Sequence, residues 1–283
     1  MPGTLFVVAT PIGNLEDLTF RALRTLREAD VIAAEDTRRT AKLLAHYDVR
    51  RPVLSLREHN EARETPRLIA RLQAGQRVAL VSDAGTPTVS DPGARLIRTA
   101  RQEGVPVVPI PGASAVVAAL SASGFPADQF VFLGFPPASG QARQEWIDVL
   151  AHESRTVVFF ESPHRIARTL QQLAASLVDR PILLAREISK IHEELVLWPM
   201  ASLVEKGEFT IVVSGRDPAL SSTVANDAQL AAIVGCLTDN TRLDVSEAQA
   251  VTAGAFRVTI SQVRKAVKHA RYARKRAEPA GEP

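Results

Sequence analysis

The sequence has a single cysteine, Cys236, among 283 residues, so an internal disulfide bond is excluded. A chain without disulfides fits a reducing compartment. No apolar run approaches the length that crosses a bilayer, and the run AVVAAL at 115–120 is bounded by serine on both sides. Residues 1–12 also lack the basic start of a secretory signal. These absences predict a soluble, cytoplasmic protein with no membrane partner.

Motifs of several common enzyme classes are absent as well. The first apolar run is not followed by GxGxxG, and the sequence has no GxxxxGK[ST], which argues against a Rossmann dinucleotide site and a P-loop nucleotidase. The single cysteine and the six histidines show no metal-ligand spacing, so no metal is expected. Neither Ser82 nor Ser114 lies in a nucleophile elbow. A ligand site in this chain must therefore be built in another way.

Positive charge is concentrated near the C-terminus, although the formal net charge of the whole chain is only +3. The segment from Ala248 to Ala277 has no acidic residue, and its basic residues are Arg257, Arg264, Lys265, Lys268, Arg271, Arg274, Lys275 and Arg276. Such a patch suits an anionic polymer such as a nucleic acid. A solvated, solubilising tail would have the same composition, so both interpretations stay open.

Apolar runs of strand length alternate with helical patterns through the first third of the chain. The runs are LFVVAT, VIAAED, RVALVS and VPVVPI, and amphipathic segments lie between them. This order indicates parallel strands with crossover helices, which is an α/β fold. Between QFVFLGF (129–135) and FTIVVSG (209–215) strands follow one another more closely, which indicates a second, mixed sheet with antiparallel pairs.

The predicted division of the chain follows from these patterns. We expect an N-terminal α/β domain at 1–116, a second α/β domain at 117–215, a polar linker at 216–226 and a basic helical module at 227–283. Three short helical patterns, the last of them basic, are typical of a helix-turn-helix module.

Polar and small residues collect at the carboxyl ends of the predicted strands, where open α/β sheets bind ligands. The segments are TPIGNLEDLT (10–19), EDTRRT (35–40), LREHNE (56–61), SDAGTPTVSDPG (82–93) and PGASA (111–115). Gly85, Gly93 and Gly112 remove side-chain bulk, which favours close approach of backbone to a flat or extended ligand. A purely structural sheet would need one or two such loops, so five together predict a binding site.

Five ordered motifs resemble a known family. VATPIGNLEDLTFRALRTLREADVIAAEDTRRT, LVSDAGTPTVSDPG, PIPGASAVVAALSASGFP, FFESPHRI and REISKIHEE together are similar to the tetrapyrrole-methylase superfamily, and most of all to its RNA-modifying branch. The resemblance covers residues 4–215. It implies a two-domain α/β fold, S-adenosylmethionine bound between the domains, and a homodimer. The implied reaction is 2′-O-methylation of a cytidine ribose in the decoding centre of 16S ribosomal RNA, as free RNA or within the 30S subunit.

The resemblance also implies which residues contact the cofactor. Loop 82–93 would wall the pocket, largely through backbone groups, and residues of the first and fifth loops and of the second domain would complete it. The implied contacts are Pro11, Asp83, Ala84, Gly85, Thr86, Ser114, Ala115, Phe160 and Pro199.

Methyl transfer to a ribose hydroxyl needs alignment of two reactants and a group that accepts or stabilises charge on oxygen. We expect Glu161 as general base, Lys190 as the cation beside the developing alkoxide, and Glu187 as the residue that orients Lys190. Ordinary surface ion pairs are the alternative for each. Phosphate contacts are expected from Arg38, Arg39, Arg165, Arg264, Lys268 and Arg271.

Two other functions are compatible with parts of the sequence. A methylase acting on a corrin or porphyrin would share the fold and the cofactor but has no evident need for the basic C-terminus. A DNA-binding regulator with a ligand-sensing domain would explain the helical module, although the many charged residues at the strand ends disfavour it.

Overall fold

The structure, a computed structural model, describes residues 2–177, 180–200, 202–215, 227–240, 243–256 and 259–277. The predicted linker at 216–226 lies outside the described residues. Within the first domain, a parallel 5-stranded sheet has the order β3-β2-β4-β1-β5. Its strands are β1 (Leu5–Val8), β2 (Val31–Ala34), β3 (Val53–Ser55), β4 (Val78–Val81) and β5 (Val107–Ile110). Every residue of the inner strands β2 and β4 is buried, as their unbroken apolar runs predict.

Helices cover both faces of this sheet. They are α1 (Phe20–Glu28), α2 (Thr37–His46), α3 (Glu61–Gln73) and α4 (Ala94–Gln102). Helices α1 and α2 pack on one face, where Leu26 and Leu44 are buried against Val8 and Val81. Helices α3 and α4 pack on the other face through apolar side chains such as Leu68.

The neighbouring strands β1 and β4 send their connections to opposite faces of the sheet, β1 into α1 and β4 into α4. Such a reversal opens a crevice at the carboxyl edge of a parallel sheet. There the backbones of Thr10 and Gly85 exchange two hydrogen bonds, with N–O distances of 2.9 and 3.0 Å. The fold thus joins the loop after β1 to the loop after β4.

The second sheet is mixed, as predicted, with the order β6-β7-β10-β8-β9 and only the β6–β7 pair parallel. Its strands are β6 (Phe130–Phe132), β7 (Thr156–Glu161), β8 (Ile182–Arg186), β9 (Glu194–Trp198) and β10 (Phe209–Val213). Helix α5 (Ala115–Ser123) packs on one face, and α6 (Gly140–His152) and α7 (Ile166–Ser176) pack on the other. The domain boundary expected at 116 falls in the first turn of α5, where Val116 already packs against the second sheet.

A small helical module follows, with α8 (Asp227–Asn240), α9 (Val245–Phe256) and α10 (Ile260–Ala277). These helices enclose a core of their own, formed by side chains such as Leu230, Val234 and Val263. Helix α10 is the basic segment identified from the charge distribution. Among the described helices, none has the length and apolarity needed to cross a membrane.

Candidate functional site

A cleft of about 440 Å³ lies between the carboxyl edge of the first sheet and the second domain. Its first-domain wall comes from the segments that follow β1, β2, β4 and β5, and its second-domain wall from the ends of β7 and β10 with Phe135. Parallel strands end at one edge of a sheet, so loops distant in sequence meet there.

Asp83 links two of these loops. Its carboxylate accepts a hydrogen bond of 2.8 Å from the backbone N–H of Asp36, and it lies 3.8 Å from Nε of Arg39. Asp36 in turn caps α2 by accepting a hydrogen bond from the backbone N–H of Arg38 at 2.8 Å. Capping and loop contact thus hold the start of α2 beside the cleft.

The first-domain wall carries a cluster of carboxyl groups. Burial, together with the negative charge of Glu35 and of Asp83, raises the pKa of Asp91 to about 6, although a hydrogen bond with Ser82 opposes the shift. Burial and Asp83 also raise the pKa of Glu35, an effect that Arg39 partly offsets. This wall therefore presents negative charge that would be stabilised by a cationic ligand.

Glu161 on the second-domain wall is held in a buried ion-pair network. Its side chain is 0% exposed, and its carboxylate lies 2.9 Å from Arg165 Nη2 and 3.9 Å from Arg143 Nη1. It also accepts hydrogen bonds from Thr169 Oγ1 at 2.6 Å and from the backbone N–H of Ser162 at 2.7 Å. These contacts occupy the carboxylate that we expected to act as general base. Its catalytic role stays a prediction, and its contacts favour a structural role.

Glu187 and Lys190 lie together at the junction of the two domains. Lys190 Nζ is 2.8 Å from a carboxylate oxygen of Glu187 and 3.0 Å from one of Glu208. Of these three residues, Glu208 alone lines the cleft. Burial alone would raise the pKa of Glu187, but hydrogen bonds from Lys190 and from the backbone N–H of Glu208 lower it. A Cβ on Gly13 would lie 2.3 Å from Lys190 Cγ, so the loop after β1 also packs on this lysine. The expected catalytic roles of Glu187 and Lys190 stay predictions.

Aromatic side chains close the second-domain side. The ring of Phe160 lies 5.4 Å from that of Phe135 and 5.0 Å from that of Phe132, measured between centroids. Phe160 and Phe135 both line the cleft. An apolar ring surface opposite backbone-rich loops is suited to a flat heterocycle.

Most of the expected cofactor contacts meet in this cleft. The lining includes Asp83, Ala84, Gly85, Thr86, Ser114, Ala115 and Phe160. Pro11 and Pro199 are not part of the lining: Pro11 is buried within the loop after β1, and Pro199 follows the edge strand β9. The roles of all nine residues as cofactor contacts remain predictions.

The expected phosphate contacts are dispersed. Arg39 lines the cleft with 64% of its side chain exposed, and Arg38 beside it is exposed. Arg165 is tied down, because it also hydrogen bonds Ser162 Oγ and the carbonyl oxygen of Pro136, each at 3.1 Å.

The remaining expected contacts belong to the C-terminal module. Arg264 and Lys268 are exposed on α10, and Arg271 lies on the same helix. Their role as phosphate contacts stays a prediction.

The sequence assigns no individual role to Asp91, although this residue lies within SDAGTPTVSDPG. Its raised pKa comes from burial in the cleft wall and from the charge of Glu35, which lies far away in the sequence, and no local pattern reveals either effect. The one available signal was an aspartate placed between a serine and a proline at the end of a strand-following loop.

The fold and the cleft identify the class of protein to which this chain belongs. The sequence profile of the family described as Tetrapyrrole (Corrin/Porphyrin) Methylases matches residues 4–204. Among solved structures, uroporphyrin-III-C-methyltransferase from Thermus thermophilus is similar to the chain with a TM-score of 0.53 at 23% identity, over 75% of this chain and 94% of that one. Cobalt precorrin-4 methyltransferase gives a TM-score of 0.54 at 19% identity, over the same shares of 75% and 94%. These likenesses confirm a tetrapyrrole-methylase fold.

Sequence relatives narrow the class further. A protein of Xylella fastidiosa named ribosomal RNA small subunit methyltransferase I is 50% identical over 224 residues, which cover 76% of this chain and 82% of that protein. The protein of the same name from Pasteurella multocida is 47% identical over 226 residues, covering 76% and 80%. The chain therefore belongs to the ribosomal RNA small subunit methyltransferase I family, within the tetrapyrrole methylases.

Proposed function

We propose that the protein transfers a methyl group from S-adenosylmethionine to the 2′-hydroxyl of a cytidine ribose in the decoding centre of 16S ribosomal RNA. The observation that carries this proposal is the identity of 47–50% to proteins named for small-subunit ribosomal RNA methylation. Solved methyltransferases named for tetrapyrrole substrates are only 19–23% identical. A tetrapyrrole substrate is therefore supported only as a property of the wider superfamily.

The residues of the cleft fit S-adenosylmethionine. Carboxyl groups of Glu35, Asp83 and Asp91 line one side, and the ring of Phe160 lines the other. Gly85 has φ +81° and brings its backbone close to the space without a side chain. When bound, this cofactor supplies an activated methyl group on a positively charged sulfur. The carboxylates would balance that positive charge, and the ring of Phe160 would pack against the adenine.

The chain's own contribution is mainly alignment, since holding two reactants in line lowers the barrier of a displacement. The first-domain loops hold one reactant, and the open side of the cleft admits the ribose. The ribose oxygen would bond to the methyl carbon while the bond from that carbon to sulfur breaks, and the hydroxyl would lose its proton. Glu35 and Asp91 are carboxyl groups of this cleft with raised pKa, and we propose that one of them accepts that proton.

Transfer of radiolabel from S-adenosylmethionine tests the proposal. Small ribosomal subunits and free 16S RNA that lack the modification are incubated with pure protein, and the labelled nucleoside is identified after digestion. Label on the ribose of one cytidine is the expected result. Label on a porphyrin or corrin substrate alone, or binding to DNA with no transfer, would contradict the proposal.

We also propose that the protein is a homodimer and acts in the cytoplasm. Leu195 and Leu197 of the edge strand β9 are 37% and 57% exposed, so an apolar strip is available at one edge of the second sheet. Sedimentation equilibrium at micromolar protein should give twice the chain mass of 30.6 kDa. A monomer mass at that concentration would contradict it.

A further inference from the structure

Phe20 is an aromatic residue whose side chain does not pack into the core. It is 94% exposed at the first position of α1. The start of this helix is already stabilised by Thr19, whose side chain accepts a hydrogen bond of 3.1 Å from the backbone N–H of Ala22. Leu18 and Leu23 on either side of Phe20 pack into the core instead. The exposed ring therefore contributes little to folding.

Phe20 follows directly in the sequence on a residue that lines a second cavity beside the cleft. Thr19, directly before it, lines a second cavity of about 570 Å³ that also has Ile188 and Ser189 of the second domain in its wall. Ile12 and Ser114 line both this cavity and the cleft, so the two spaces adjoin. An exposed ring here can reach a substrate that enters between the domains.

Unpaired cations flank the ring. Arg21 and Arg24 are exposed on α1, and this helix has no acidic residue before Glu28. In the part of the chain that the structure describes, neither arginine forms an ion pair. Helix α2, on the same face of the sheet and starting at the same edge, has no acidic residue and begins with Arg38 and Arg39 after Thr37.

We propose that Phe20, Arg21 and Arg24 form an RNA-docking surface beside the cleft, on which an unpaired base of the substrate stacks on Phe20 while the two guanidinium groups contact neighbouring phosphates. Aromatic rings combined with cations are the way proteins hold single-stranded nucleic acid. The proposal rests on the proposed function, because it takes the RNA substrate from there.

A second copy of this chain is the other candidate occupant. A symmetric contact through this face would bring Arg21 and Arg24 close to their own copies, and like charges oppose such a contact. Glu16 and Asp17, exposed in the turn before α1, are the acidic residues nearest in sequence. These two acidic residues lie before Phe20, whereas the exposed side chains of α1 from Arg21 to Arg27 include only positive charge, which favours a polyanion on the helix itself.

The decisive variant is Phe20→Ala in the full chain, measured with unmodified small subunits. We expect KM and the dissociation constant for subunits to rise about tenfold, as loss of one stacked base predicts, with cofactor affinity unchanged. Phe20→Trp should restore binding, whereas Phe20→Leu should not, because leucine is apolar but has no ring face. Val149→Ala, which shortens another exposed apolar side chain on α6, should leave binding unchanged.

The two arginines of the docking surface are tested separately, with a matched control. The double variant Arg21→Gln/Arg24→Gln should lower the slope of log affinity against log salt by about 1.5, as expected for two lost phosphate contacts. Arg98→Gln/Arg101→Gln removes two exposed arginines with the same spacing from α4, on the opposite face of the sheet. This control should keep the wild-type slope.

Several outcomes would overturn the proposal. Unchanged subunit binding by Phe20→Ala, equal binding by the leucine variant and wild type, or an equal loss of slope in the α4 control would each do so. A variant that becomes monomeric while the wild type is dimeric would assign the ring to a second copy of the chain. Failure of the wild type to methylate RNA would instead contradict the proposed function. In that case, comparing the affinities of the wild type and of Phe20→Ala for 16S RNA would still test the docking surface.

Discussion

The two walls of the cleft hold their charged side chains in different ways. On the first-domain wall, Glu35 and Asp91 form no ion pair with another described residue, and the pKa of each is raised by burial. On the second-domain wall, Glu161 is enclosed by Arg143 and Arg165. Glu35 and Asp91 thus stay outside the ion pairs of their wall, whereas Glu161 is neutralised by the arginines packed around it.

This difference indicates that the two domains have different roles at the cleft. A buried carboxylate with two cations and several hydrogen bonds is a fixed part of the structure, because moving it would leave charges unpaired in a poorly solvated place. A half-buried carboxyl with a raised pKa can change its protonation or bind a cation. We infer that the first domain supplies the chemistry and the second domain supplies a rigid surface.

The largest expected effect is that of Glu161→Gln, which leaves Arg143 buried without its counter-charge. We expect the free energy of unfolding to fall by about 3–5 kcal/mol in urea denaturation, the usual consequence of breaking a buried pair. Glu208→Gln is the matched control, since it removes an ion pair to Lys190 from a glutamate whose side chain is 69% exposed, and should cost below about 1 kcal/mol.

The same variant separates the two roles considered for Glu161. A stable Glu161→Gln protein whose single-turnover methylation is lost at saturating RNA and cofactor would support the general base that we expected from the sequence. An unstable protein with a normal rate constant per folded molecule would support the structural role.

Most of the architecture was predictable because parallel strands buried on both faces produce unbroken apolar runs, as in β2 and β4. The loops at their carboxyl ends followed from that topology, and Asp83 and Gly85 of these loops line the cleft, although their role as cofactor contacts stays a prediction. Glu161 could not be assigned in the same way. Its partner Arg143 lies on α6, and no local pattern shows that this arginine turns inward.

A second prediction concerns Gly85, whose backbone joins the loop after β4 to the loop after β1. Gly85→Ala places a Cβ at a φ of +81°, 3.2 Å from Ile12 Cγ2. We expect a loss of about 1 kcal/mol of stability from backbone strain, and a roughly tenfold weaker affinity for S-adenosylmethionine as the loops separate, about 1.4 kcal/mol. Calorimetric titration measures the second effect.

Gly104→Ala is the control for strain alone, because Gly104 has a φ of +70° and a Cβ there would meet nothing within 4 Å. It should lose similar stability but keep full cofactor affinity. Equal affinity losses in the two variants would mean that the contact between the loops after β1 and β4 does not shape the cofactor site.

The smallest effect, and the sharpest test of free charge on the first-domain wall, is the pH dependence due to Asp91. Its pKa is about 6 in the folded chain against an ordinary 3.8, so the native state binds the proton more tightly and stability falls as pH rises between these values. Asp91→Asn should flatten this slope and raise the free energy of unfolding at pH 7 by about 1 kcal/mol, allowing for solvent screening of a partly exposed group.

Cofactor binding should show the opposite dependence on pH. A cationic ligand is stabilised by the ionised carboxylate, so the affinity of the wild type for S-adenosylmethionine should rise roughly threefold as pH increases through about 6, and Asp91→Asn should abolish this rise. Asp148→Asn, an exposed aspartate on α6 outside the cleft lining, should keep both wild-type curves. If Asp91→Asn also kept both wild-type curves, the charge of Asp91 would affect neither stability nor cofactor binding. The two walls of the cleft would then not differ in the way described above.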